Sequence, residues 1–104
     1  MKISSGILQG LKTSTPNSTN TRPTLSKIRG AVFSMLGDDL DSKVFWDLFA
    51  GSGVMGLTAI SLGARECCFV EIDRGACKHL KENIREAQRR LKAQALSARI
   101  KFFS

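Results

Sequence analysis

The apolar residues of this chain fall into two spacings. Near-continuous runs of strand length occur at residues 44–49, 67–72 and 98–103, a pattern expected of strands covered on both faces. Helical spacing fills the intervals. Residues 54–62 read as a short helix stopped by Gly63, and residues 74–94 as a long amphipathic one. In the long helix Cys77, Leu80, Ile84, Ala87 and Leu91 form the buried stripe, with Lys78, Lys81, Arg85, Arg89 and Lys92 largely elsewhere. Upstream, Thr24 is placed to cap a helix over 25–36 whose stripe is Leu25, Ile28, Val32 and Met35 or Leu36, and Gly37 stops it. Residues 1–13 read as a short hairpin or arm broken by Gly6 and Gly10, and 13–24, rich in Ser, Thr, Asn and Pro, as an extended loop. The expected organisation is an arm and loop over 1–24 and a partial α/β domain over 25–104. A right-handed crossover would set its first two strands parallel.

The junctions of these elements carry the chemistry. The first run leads through Asp47 into Gly51-Ser52-Gly53-Val54-Met55-Gly56, and the second ends at Glu71, 20 residues after Gly51. A Gly-x-Gly-x-x-Gly turn between strand and helix, with an acid at that distance, is the layout of a nucleoside-cofactor site. Gly51 lets the chain turn out of the strand. Gly53 is expected to clear space for a ligand, and Gly56 to let helix and strand pack closely. The N–H groups at the helix start are expected to point at whatever lies over the loop. Glu71 suits ribose hydroxyls. Asp47 discriminates between cofactors. Its carboxylate would repel a pyrophosphate, whereas S-adenosylmethionine brings a sulfonium and an ammonium that it attracts. The alternative is that Asp47 only caps the turn or the helix.

Charge adds a second layer. The chain has 104 residues and a net charge of +7, enough for one domain with a modest core. Residues 1–30 hold five basic residues and no acid, residues 31–73 two basic and seven acidic, and residues 74–104 nine basic and two acidic. An acidic middle between basic ends suits a cationic ligand inside and a polyanion outside. Lys27 and Arg29, with Arg22, would form a basic lip at one end of the first helix. Cys67, Cys68 and Cys77 have neither disulfide nor metal spacing and read as small core residues in a reducing compartment. His79 has no partner at catalytic spacing and is expected to be exposed. No run reaches membrane-spanning length and no signal peptide is evident, so the cytoplasm is the default compartment.

The combination of Thr21-Arg22-Pro23-Thr24, Val32-Phe33-Ser34-Met35-Leu36-Gly37, Asp47-Leu48-Phe49-Ala50-Gly51-Ser52-Gly53 and Val70-Glu71-Ile72-Asp73-Arg74 resembles one family. It is that of the bacterial enzymes that methylate the exocyclic N2 of a guanine in 16S ribosomal RNA, using S-adenosylmethionine. The resemblance implies a class I, Rossmann-like methyltransferase fold, here its first half. It implies that Asp47, Gly51, Ser52 and Gly53, with Phe49 and Ala50 of the same block, line the methionine end of the cofactor. It further implies that Glu71 takes the ribose and that Ile72 packs on adenine. Lys2, Lys12 and Arg22, together with Lys27 and Arg29, would face the RNA or the small ribosomal particle.

One family motif is missing. After a fourth strand, members carry an Asp-Pro-Pro-Tyr/Phe-like segment that holds the target amine, whereas Pro16 and Pro23 are the only prolines here. No residue stands out as catalytic, and the chain alone is expected to be inactive. A half sheet would leave an open strand edge and an apolar face, so truncation or self-association is expected. Two other readings compete. An NAD(P)-dependent enzyme fits the glycines but not Asp47, and the chain has no tyrosine for catalysis. A non-enzymatic RNA binder fits the charge, but its phenylalanines fall mostly in core runs rather than between basic residues.

Overall fold

The computed structural model of the chain describes residues 2–14 and 23–104. Helix α1 (Pro23–Leu36) and a 3-10 turn (Gly37–Leu40) precede an alternating series: β1 (Val44–Asp47), α2 (Val54–Ser61), β2 (Glu66–Val70), α3 (Arg74–Ala93) and β3 (Arg99–Phe103). The strands form one parallel sheet in the order β1-β2-β3. Phe45, Cys67 and Ile100 align across it, as do Asp47, Phe69 and Phe102. These residues face the helices. Cys67 and Phe69 are fully buried with Leu57 and Ile60 of α2 and Leu80, Ile84, Ala87 and Leu91 of α3. The α3 stripe is thus the one its spacing predicts. All three cysteines are free and buried, and burial pushes the Cys67 thiol pKa up.

The first strand has the open edge and uncovered face expected of a half sheet, but it is shorter than its apolar run and is not buried on both faces. It is an edge strand of the described sheet, it ends at Asp47, and Val44 and Trp46 are exposed. Phe45, on the other side of the strand, packs against Phe33 and the core. A continuous apolar run does not reveal which of its faces has a neighbour. Strand β2 likewise stops at Val70, which leaves Glu71 and Ile72 beyond its carboxyl end.

Helix α1 starts two residues earlier than expected. Pro23 occupies the first turn, where its missing N–H costs nothing, and Thr24 lies inside the helix rather than at its cap. Its inward face is also turned by about one position. Arg29 and Phe33 are buried, while Ile28 is 53% and Met35 86% exposed. Phe33 packs on Phe45 with ring centroids 5.8 Å apart, and Arg29 Nη2 donates to the Lys2 carbonyl at 3.1 Å. An aromatic pair buries more area than the Ile28 side chain would.

The N-terminal arm is part of the core. Lys2 and Lys12 form an antiparallel bridge, and between them Ile3, Leu8 and Leu11 are buried against α2 and α3. Gly6, at φ +86°, lies directly on the Ser61 carbonyl, where any side chain would collide. The Ile7 and Leu8 amides donate to the Ser61 carbonyl and hydroxyl, and Gln94 Nε2 donates to the Ile7 carbonyl at 2.9 Å. No helix among the described residues is long and apolar enough to cross a membrane.

This burial has a measurable consequence. Leu8→Ala should lower the unfolding free energy by about 2–5 kcal/mol. Lys12→Ala, on the exposed side of the same arm, should change it by less than about 0.5 kcal/mol. Urea unfolding of both variants checks this, and equal small effects would show that the arm is not part of the core.

Candidate cofactor site

The site lies at the carboxyl ends of β1 and β2. Asp47 is the last residue of β1, and its Oδ2 accepts from the Gly56 N–H at 3.1 Å. Gly53 is the N-cap of α2, so Asp47 caps the third N–H of that helix. The N–H groups at this helix start are therefore already partly engaged. Burial pushes the Asp47 pKa up, the Gly56 hydrogen bond counters it, and the charge of Glu71 adds to the rise. Among the described residues, no lysine or arginine makes a salt bridge with either acid.

Glu71 holds the loop together. Its Oε1 accepts from the Gly51 N–H at 2.7 Å and its Oε2 from the Asp73 N–H at 2.9 Å. Each oxygen keeps a second lone pair for a ligand hydroxyl. Asp73 in turn caps α3 by accepting from the Ala76 N–H at 2.8 Å. Ala50 is buried, and its amide donates to the Val70 carbonyl. Phe49 and Ile72 project outward, 92% and 85% exposed.

Of the three glycines, only Gly53 departs from its expected work. The space beside Gly51, at φ +54°, is open, with no atom within 4 Å of where a side chain would begin. The missing side chain of Gly53 makes room for Leu80 and Phe69, so its lack of bulk serves the core. Gly56 lies directly over Phe69 and Cys67, the close helix-to-strand packing its position predicts.

Asn83 was missed from sequence. It is only 3% exposed, and its Nδ2 donates to the Ser52 carbonyl at 2.7 Å and to the Ser14 carbonyl at 2.9 Å. Its Oδ1 accepts from the Ser14 N–H at 2.8 Å. One side chain thereby joins the glycine loop to the end of the arm. The available signal was an amide on the buried stripe between Leu80 and Ala87, where an unpaired polar group would be costly. His79 is half-buried rather than exposed. Its Nδ1 lies 2.6 Å from Ser14 Oγ, because the arm folds back across α3.

Of the basic candidates, Lys2, Lys12 and Lys27 are exposed. Arg29 is drawn inward, 6% exposed, and does not form a lip. Arg22 lies outside the described residues.

Three parallel strands joined by helices, a glycine turn after β1 and acids at the ends of β1 and β2 define a partial Rossmann-like fold of the class I methyltransferase type. The chain belongs to the family described as Conserved hypothetical protein 95, which matches residues 1–101. It is 42% identical over 84 residues to the Ribosomal RNA small subunit methyltransferase D of Buchnera aphidicola, covering 81% of this chain and 44% of that protein. Identity to the protein of the same name in Escherichia coli is 33% over 84 residues, covering 81% and 42%. A solved structure of a hypothetical protein from Thermus thermophilus superposes with a TM-score of 0.72 at 32% identity, covering 99% of this chain and 55% of that one. The chain thus spans less than half the length of these two methyltransferases.

Two expectations test this geometry. Asn83→Ala should destabilise the chain by about 1–3 kcal/mol, because it orphans part-buried backbone groups at Ser14 and Ser52. Ser14→Ala leaves those groups paired and should cost about 0.5–1.5 kcal/mol. Asp47 holds its proton more tightly folded than unfolded. As pH rises from its ordinary value of 3.8, the unfolded chain ionises first and stability falls until the folded carboxyl ionises too. Asp47→Asn removes that fall, so its urea midpoint should decline less with pH over this range than that of the parent.

Proposed function

We propose that this chain supplies the donor-binding half of an S-adenosylmethionine-dependent methyltransferase that modifies a guanine N2 in 16S ribosomal RNA. The observation that carries the proposal is the pair of acids, Asp47 and Glu71, close enough for one to raise the pKa of the other and without a salt-bridge partner among the described residues. Carboxylates around an open glycine turn, held by backbone N–H groups and without a cationic side-chain partner, suit a cationic ligand and oppose a pyrophosphate. The names and coverage of the relatives support the same reading.

The residues present fit such a donor. Asp47, Gly51, Ser52 and Gly53, with Phe49 and Ala50, would hold its methionine end over the open space beside Gly51. Glu71 has lone pairs for the ribose hydroxyls. The exposed Ile72 offers an apolar surface for the adenine. The donor supplies an activated methyl group.

The chain's own contribution is placement. An exocyclic guanine amine is a weak nucleophile, so alignment and exclusion of water carry most of the rate, and the base must leave its stack to be reached. Lys2, Lys12 and Lys27 are exposed cations of the proposed RNA side, and Arg22, outside the described residues, is proposed as a further one by resemblance. Self-association through the outer edge of β1, where Val44 and Trp46 are exposed, belongs to the same reading.

Calorimetric titration of S-adenosylhomocysteine and, in parallel, of NAD tests the proposal. Saturable heat with the former alone is expected, weakened at least about tenfold in Glu71→Ala, since hydrogen bonds to a charged group are worth about 1.5–3 kcal/mol. Heat with NAD alone overturns the reading. Heat with neither shows that this chain does not bind the donor by itself.

A further inference from the structure

A groove of about 580 Å³ runs between α3 and the end of the sheet, lined by Ile72, Arg74, Cys77, Lys78, Lys81, Glu82, Arg85 and Ser104. Four of these are cations, at positions i, i+4, i+7 and i+11 of one helix, which stacks them on one face over roughly 16 Å at 1.5 Å per residue. All four are exposed. Lys81 Nζ is held toward the sheet, 5.5 Å from the centroid of the Phe102 ring.

This arrangement works against the stability of α3. Arg74 and Lys78 occupy its first turns, where the helix dipole disfavours positive charge, and beyond the capping Asp73 the first turn contains no acid. Successive cations also repel one another at these spacings. Glu82 sits among them, yet neither it nor any of the four is in a salt bridge among the described residues. The other end of the same helix is built differently. There Glu86 pairs with Arg89 at 2.7 Å and Arg90 at 3.3 Å, and the last-turn cations Arg90 and Lys92 suit the dipole. The run of cations without a salt bridge that lines the groove begins at the end of α3 that borders the cofactor site.

We infer that this groove binds the phosphodiester backbone of the RNA substrate, through Arg74, Lys78, Lys81 and Arg85. The inference rests on the RNA-methyltransferase reading above and adds a contact surface separate from the arm. Ile72 follows Glu71 in the chain and lines the groove, so an RNA strand lying there runs up to the donor site. Phosphates at this face relieve the repulsion along α3, and Glu82 limits how tightly they are held.

Fluorescence anisotropy with a short labelled single-stranded RNA, titrated at several salt concentrations, tests this on the purified chain. The double variant Lys78→Glu, Arg85→Glu should bind at least about tenfold more weakly, and the slope of log affinity against log salt should shrink by about 1.4 for two lost phosphate contacts. Glu82→Gln should tighten binding by roughly twofold or more. Lys43→Glu, exposed before β1 at the other end of the strands, should leave the slope unchanged. RNA binding that is indifferent to the double variant, or equally weakened by Lys43→Glu, overturns the inference. So does loss of S-adenosylhomocysteine heat in the double variant, which would assign the groove to the donor, and so does binding to anionic phospholipid vesicles without binding to RNA. Absence of that heat in the parent chain is a separate result, which bears on donor binding by this chain alone and not on the groove.

Discussion

Gly56 sits where α2 meets β2, and the site is arranged around that contact. With no side chain of its own, it lies directly on Phe69 and Cys67. Its N–H is the one that Asp47 accepts. A single residue therefore sets both the distance between helix and sheet and the position of the acid at the end of β1. Leu80 completes the arrangement from α3 by filling the space Gly53 leaves. The glycine loop rests on a closed apolar floor and presents Gly51 upward. Glu71 fastens the near side of that loop and Asn83 the far side.

The electrostatics follow from this frame. Asp47, Glu71 and Asp73 gather where the strands end, and exposed cations lie on the arm and along α3. A cationic small ligand and a polyanionic macromolecule can then occupy adjoining surfaces without competing for the same charges. The acids face inward beside the glycine turn, where burial already raises the Asp47 pKa, so a positive ligand would restore a charge state that the fold makes costly.

What could be read from sequence was what depends on near neighbours along the chain. The glycine spacing, the two acids, the three strands and the α3 stripe are local patterns, and their elements lie within a few residues of the expected places. What escaped depends on distant partners. The inward face of α1 is decided by Phe45 and by the Lys2 carbonyl, neither of which its own periodicity can reveal. The role of Gly53 required knowing that Leu80 would arrive beneath it. The buried arm was hidden because Gly6 and Gly10 break the short segment that holds Ile3, Leu8 and Leu11. Their burial comes from a turn held by Ser61 and Gln94.

That turn governs the order in which the molecule can assemble. Ile7 and Gln94, which hydrogen-bond, are 87 residues apart in sequence, and closing so wide a loop is entropically unfavourable until contacts exist to offset it. During synthesis the arm leaves the ribosome before the helices it packs on, and its binding surface is not complete until α3 has followed. Ile3, Leu8 and Leu11 must wait in water while the helices that cover them are still being made. Residues synthesised early are thus among the last to find their places.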